Sequence, residues 1–172
     1  MKSAPIPENE SERLAELLSY DVLDTEAEQL FDELTELASR ICQTPIALIS
    51  LVDPDRQWFK SRVGLDAEET SREIAFCSHA ILQKEVFEVS NALEDPRFYD
   101  NPLVTGAPDI RFYAGAPLIT PSGHAIGTLC AIDRKPRELT DDQRASLQTL
   151  SHSVVAHLEL KRKNRELERT SQ

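Results

Sequence analysis

A thiol and an imidazole two residues apart, Cys77 and His79 in the segment FCSHAI, are the pair in this 172-residue chain best suited by type to do chemistry. An imidazole beside a thiol can take its proton and leave a nucleophilic thiolate. On a helix, however, residues i and i+2 point about 200° apart, and no third side chain can be named to orient the imidazole. The pair fits equally a small buried hydrophobe beside a polar histidine that lines a pocket. The other cysteines, Cys42 and Cys130, are distant and no CxxC occurs, which argues against a zinc knuckle or a thioredoxin-like site. There is no glycine-rich phosphate loop, HExxH or GxSxG. Asp53 and Asp55 sit in turn chemistry, DPDR, where aspartate bonds its own backbone. No metal site is expected.

A second set of residues is suited to binding. Arg97 and Arg111 are cations able to meet an anionic ligand, although Arg97 can equally pair with Asp95 or Asp100. Phe98, Phe112 and Tyr113 surround a loop rich in Pro, Asn, Asp and Gly, PRFYDNPLVTGAPD (96–109), too long for a plain turn. Phe112 and Tyr113 alternate along a strand, so at most one of them faces a given side. Trp58, the one tryptophan, also lies on a strand, where it is more often core than a stacking surface for a ligand.

These residues hang on a readable series of elements. Ser11 caps a short helix with Leu14, Leu17 and Leu18 at helical spacing. Thr25 and Glu28 make a capping box for a second helix, over 25–42, whose apolar stripe is Leu30, Phe31, Leu34, Leu37, Ala38 and Ile41. Pro45 ends it. PIALISLVD reads as a buried strand and QWFKSRVG as its hairpin partner, followed by the polar stretch LDAEETSRE. IAFCSHAILQ reads as a short helix and VFEVSNALED holds a short strand. IRFYAGAPLIT and AIGTLCAID pair across the turn PSGH. Thr140 caps a final helix running from Asp141 to about Arg169 without Pro or Gly. The order predicts an α+β domain, an antiparallel sheet of about six strands with helices on its faces.

Composition narrows function further. The formal net charge is −11, which repels a phosphate backbone and argues against nucleic acid. The basic run KRKNRELER (161–169) reads as solvated faces of the last helix. No run is long and apolar enough for a membrane span, and the first residues lack a signal peptide's apolar core, so a cytoplasmic protein with reduced thiols is expected.

The runs PIALISLVDPDRQWFKSRVG, FCSHAI, EDPRFYDNPLVTGAPDIRFYAGAPL and GHAIGTLCAIDRKPREL, in this order and spacing, resemble a GAF domain over roughly residues 21–160. The resemblance is greatest to the subgroup found N-terminal to sensor histidine kinases and cyclic-dinucleotide synthases. It implies a signal-transduction sensor in a two-component-like setting: a small molecule or partner binds one face of the sheet, and terminal helices pair in a homodimer and relay the signal to a downstream kinase or cyclase domain. On that reading residues 1–20 are a tail and helix, 21–160 the domain, and 161–172 a basic helical extension. The ligand pocket would be lined by Trp58, Cys77, His79, Arg97, Phe98, Arg111, Tyr113 and Cys130. Leu147, Leu150, Val154 and Leu158 would form the dimer helix. Two alternatives stand beside it, a thiol-based redox enzyme using Cys77 and a degenerate module that only dimerises. GAF-fold methionine sulfoxide reductases use a second cysteine in the loop matching 96–109, and phytochrome-like relatives attach a bilin just upstream of the following strand. This loop contains no cysteine, so both the resolving thiol and a covalent bilin at that position are disfavoured. The identity of any ligand is left open.

Overall fold

The computed structural model describes residues 2–170; the ends of the two terminal segments, Met1, Ser171 and Gln172, lie outside the described residues. Six strands form one antiparallel sheet in the order β3-β2-β1-β6-β5-β4: β1 (Ile46–Val52), β2 (Arg56–Val63), β3 (Glu69–Ser71), β4 (Phe87–Val89), β5 (Phe112–Ile119) and β6 (Ala125–Asp133). The central pair β1 and β6 is buried on both faces, which is why PIALISLVD lacks the alternation of a one-sided strand. The α+β expectation holds. The strand not foreseen is β3, which lies within LDAEETSRE and is polar because it is a three-residue sheet edge.

One face of the sheet is covered by helices. α2 (Gln29–Cys42) and α5 (Asp141–Thr170) lie side by side, with Phe31 edge-on to His157 at 4.8 Å and Gln143 Nε2 donating to the Ile41 carbonyl at 3.0 Å. Phe31, Ala38, Leu147, Leu150, Val154 and Leu158 meet Ala47, Ile49, Leu51, Phe112, Ala114 and Leu118 in one core. Thr140 and Gln143 cap α5 reciprocally, hydroxyl to amide N–H and side-chain carbonyl to Thr140 N–H. The four α5 side chains expected at a dimer interface are therefore core of the single chain, at most 8% exposed. The reason is plain: an apolar stripe that can reach its own sheet buries there first.

The second helix starts later than its sequence suggests. Thr25 is no N-cap; α2 is preceded by Glu28, and Thr25 bonds back to the Val22 carbonyl. Residues 25–28 are instead wrapped around Lys60, whose side chain is 1% exposed and whose ammonium donates to Thr25 Oγ1 (2.7 Å) and the Glu26 carbonyl (2.5 Å) and pairs with Glu28. A buried ammonium requires all of these partners, and this need outranks the local capping signal. Of the predicted stripe, Leu30 and Leu37 are exposed. α1 (Glu10–Ser19) begins at Glu10 rather than after a Ser11 cap, and Arg13 takes the buried position expected for Leu18.

The opposite face, here the loop face, carries a 3-10 turn (Arg72–Ile74), the single-turn helices α3 (Cys77–Ala80) and α4 (Pro102–Thr105), and the connection between them. IAFCSHAILQ thus holds one helical turn rather than a continuous helix. Among the described residues no helix is long and apolar enough to cross a membrane.

Candidate functional site

The loop face is where the sequence places a pocket, and over its middle that space is filled. Phe76 stacks on Phe98 with centroids 4.0 Å apart and planes 9° from parallel. Tyr113 leans on Phe76, Phe87 stands edge-on to Phe98 and Tyr113, and His79 meets Phe98 edge-on at 4.8 Å. Tyr113 lies across Gly115, where an added Cβ would sit 2.5 Å from the phenol oxygen. The absent side chain is what lets the ring lie flat and reach Thr128 Oγ1 at 3.4 Å. Phe98 and Tyr113 are fully buried.

The two arginines are spent on structure. Arg97 forms a two-point ion pair with Asp95, 2.7 Å at its shortest, and its guanidinium lies over Phe87 and Phe98. Arg111 donates to the carbonyls of Val104 and Ile110, tying α4 to the entry of β5. Trp58 faces the helical side of the sheet, because it alternates with Gln57 and Phe59, which face the loops. It does not share a space with Cys77.

The thiols are unsuited to nucleophilic work. Cys77 is fully buried and donates to Gln57 Oε1 at 2.7 Å; burial pushes its pKa well above the ordinary thiol value. Burial raises Cys130 to about 11 and Cys42 to about 11. Burial and the Arg97 charge both lower the pKa of His79, so it offers no imidazolium to hold a thiolate, and no hydrogen bond joins it to Cys77 among the described residues. We expect none of the three thiols to react with dithionitrobenzoate in the native protein at pH 8, and all three to react once it is unfolded. Fast native labelling of Cys77 would restore the redox reading. Among the described residues no three metal-ligating side chains converge.

Beside the filled half, the loop face carries a cleft. A cleft of 360 Å³ lies between the β2–β3 connection, the α4–β5 connection and the ends of β1, β2 and β6. Its floor is Ile46, Leu48, Phe59 and Ile132, its walls Leu65, Leu103, Pro108 and Ile110. One end is closed by Gln57, whose amide is fixed by donating to Thr70 Oγ1 at 2.7 Å while it accepts from Cys77. Asp66 and Arg134 stand at the exposed edge. The volume is at the small end of ligand sites, and the lining is of their kind: mostly apolar, with a few fixed polar groups. None of the eight side chains expected from sequence lines it, although the loop 96–109 does, through Leu103, Ala107 and Pro108. Leu65 was hidden in a polar stretch. Gln57 and Phe59 were legible as the neighbours of Trp58 that must face the other way.

The GAF domain family model matches residues 26–158. The chain belongs to the GAF domain family. GAF domains are sensor and signalling modules, and this one is 47% identical over 159 residues to a cyclic di-GMP phosphodiesterase of Pseudomonas aeruginosa. The match takes in 92% of this chain but 27% of the relative, so the GAF domain corresponds to about a quarter of that protein. The GAF domain of a phosphoenolpyruvate-protein phosphotransferase from Coxiella burnetii superposes with a TM-score of 0.64 at 15% identity, covering 91% of this chain and 96% of its own. The PixJ GAF domain of Thermosynechococcus elongatus, in its blue-light absorbing form, gives 0.63 at 13% identity, covering 96% and 95%. At these identities the likeness is one of fold.

Proposed function

We propose that this GAF domain is the regulatory part of a signalling protein, that a small, largely apolar molecule occupies the cleft beside Gln57 and Thr70, and that occupancy is relayed through the terminal helices. The observation that carries the reading is the contrast within one face: half is covered by stacked aromatic rings, while the adjoining 360 Å³ cleft is bordered by the half-buried Leu65 and Leu103 above buried apolar side chains. An open apolar space costs stability unless something fills it. The activity of the Pseudomonas relative suggests the output, an enzyme of cyclic di-GMP turnover elsewhere in a longer chain. The domain would then control that chemistry without performing it.

We place the homodimer contact on the outer face of the helical layer rather than on the four buried α5 residues. Leu30 and Leu37 of α2 and Leu160 of α5 are all more than 40% exposed, and residues seven apart on α2 form the seam a second helical layer can pack against.

Native mass spectrometry of freshly purified protein tests both parts. The expected result is a dimer with a discrete added mass. Leu103→Trp, which projects an indole into the cleft, is expected to abolish that mass while leaving the melting temperature within about 3 °C of ligand-stripped wild type, because the wall position is only half-buried. A ligand retained by Leu103→Trp overturns the cleft assignment, and a monomer overturns the dimer.

A further inference from the structure

We propose that α1 is the element that carries the state of the cleft to the C-terminal helix, gripped at its start by Arg72 and at its end by Arg162 and Arg165. The proposal rests on reading the cleft as the sensory site.

The route starts at the cleft's closed end. Thr70, hydrogen-bonded to Gln57, is two residues from Arg72. Arg72 is pinned to its surroundings at several points. Its N–H donates to the Asp55 carbonyl (3.0 Å), one guanidinium nitrogen donates to the Asp53 carbonyl (3.3 Å), and its own carbonyl accepts from Ser78 of α3 (2.9 Å). Its other guanidinium nitrogen reaches Glu10, the first residue of α1, at 2.8 Å. Glu10 also accepts from Arg13 Nε at 2.7 Å, and Arg13 is 1% exposed. Arg13 keeps Glu10 in place within α1, and the link across to the 3-10 turn is Arg72, whose side chain is 8% exposed; a cation so buried cannot leave its carboxylate without severe cost, so the first turn of α1 moves with the 3-10 turn.

α1 then passes from one layer to the other. Its first turn contacts the loop side, while Leu17 and, just past its end, Tyr20 join the core of the helical side. Ten helical residues make a rod of about 15 Å. At its far end Arg165 donates to the carbonyls of Ser19 (3.3 Å) and Tyr20 (2.5 Å), a cation placed on the negative end of the helix. Arg162 donates to Ser19 Oγ at 2.6 Å and lies over the Tyr20 ring at 4.3 Å. Beyond Leu158 no α5 side chain among the described residues is buried, so this polar clamp, with Lys161 on Glu28, is what docks the last three turns. Arg162 also reaches Glu16 of α1 at 3.5 Å, and these partly exposed contacts, with 22% and 19% of the two side chains in solvent, are individually weaker than the pairs at the start of α1. The two ends of α1 therefore differ in kind: the buried ion pairs hold, and the clamp is the part that yields when the rod shifts. The basic extension is thereby a releasable arm rather than a fraying end.

Hydrogen exchange of the 172-residue chain, read by segment, tests this. Arg72→Gln leaves the Glu10–Arg13 pair intact and is expected to raise exchange over residues 160–169 by about tenfold, with residues 141–158 unchanged. Arg162→Ala with Arg165→Ala is expected to do the same, and combining them with Arg72→Gln to add nothing, since all act on one route. An unchanged 160–169 segment in Arg72→Gln, or effects that simply add, overturns the proposal. If Arg72→Gln loses protection throughout the sheet, Thr70→Val, which removes only the cleft-end hydrogen bond, is read by the same criterion. None of these readouts requires the ligand. Failure here removes the route and leaves ligand loss in Leu103→Trp as it was.

Discussion

Gly127→Ala is expected to leave the chain unfolded or insoluble at 37 °C, with a loss of more than about 4 kcal/mol, the range reserved for backbone clashes and core cavities. Gly127 sits on β6 between Leu51 of β1 and Leu118 of β5, at the middle of the sheet. A Cβ there would stand 1.9 Å from the Ser50 carbonyl oxygen and 2.9 Å from its carbon. The obstacle is backbone held by a ladder on both sides, so no rotamer change relieves it. The strands would have to part by roughly an ångström at the pair on which both faces are built. Gly106→Ala is the matched control: its nearest neighbour would be the Pro102 carbonyl at 3.3 Å, on a single-turn helix at the surface. Circular dichroism and urea unfolding of the two variants check the contrast. A Gly127→Ala protein with an ordinary unfolding midpoint would mean that β1 and β6 do not pair in the register described.

The architecture was legible wherever burial and local pattern agree. The two hairpins, the long uninterrupted α5 and the Thr140 cap follow from alternation, turn residues and a helix with nothing to stop it. The failures cluster where a charged group is drawn inside. Arg13 reads as surface in the sequence yet is among the most buried side chains, because its partner Glu10 lies three residues before it and Arg72 comes from sixty residues away. Lys60 likewise shifts the start of α2 by holding residues 25–28. No local pattern announces a partner so distant. The candidate cleft lies on the face the sequence pointed to, but its lining was not legible residue by residue. Aromatic and thiol side chains were the natural candidates for a pocket, but their size and apolarity let them fill the space themselves. Side chains of modest interest in sequence, such as Leu65 and Leu103, border what stays open. Leu147, Leu150, Val154 and Leu158 carry the same lesson from the other face: an apolar stripe states that something covers it, and the nearest sheet was the cover.

Glu10→Ala is expected to cost about 3 kcal/mol, because it leaves two cations, Arg13 and Arg72, facing each other with side-chain exposures of 1% and 8% and no carboxylate between them. The figure is at the low end for a broken buried pair, since Glu10 itself keeps 17% of its side chain in solvent. The same contact sets a pH dependence whose sign can be worked out. Burial of Glu10 raises its pKa, but hydrogen bonds from Arg72 and Arg13 and their charges outweigh it, and the net shift is downward. A carboxyl whose pKa is lower in the folded state binds its proton more tightly when unfolded. Its contribution is thus complete above the ordinary glutamate value of about 4.5 and fades as the pH falls through the lowered one. Between pH 7 and 5 the wild type should therefore lose little from this site, and below about pH 4.5 it should begin to lose the docking of α1. In Glu10→Ala that loss is already present at neutral pH, so this acid-dependent part of the stability difference between the two proteins should shrink as the pH is lowered. Urea midpoints of both proteins at pH 7, 5 and 3.5 give the comparison, and a difference that stays constant or widens in acid would mean that Glu10 is not the group holding the two arginines inside.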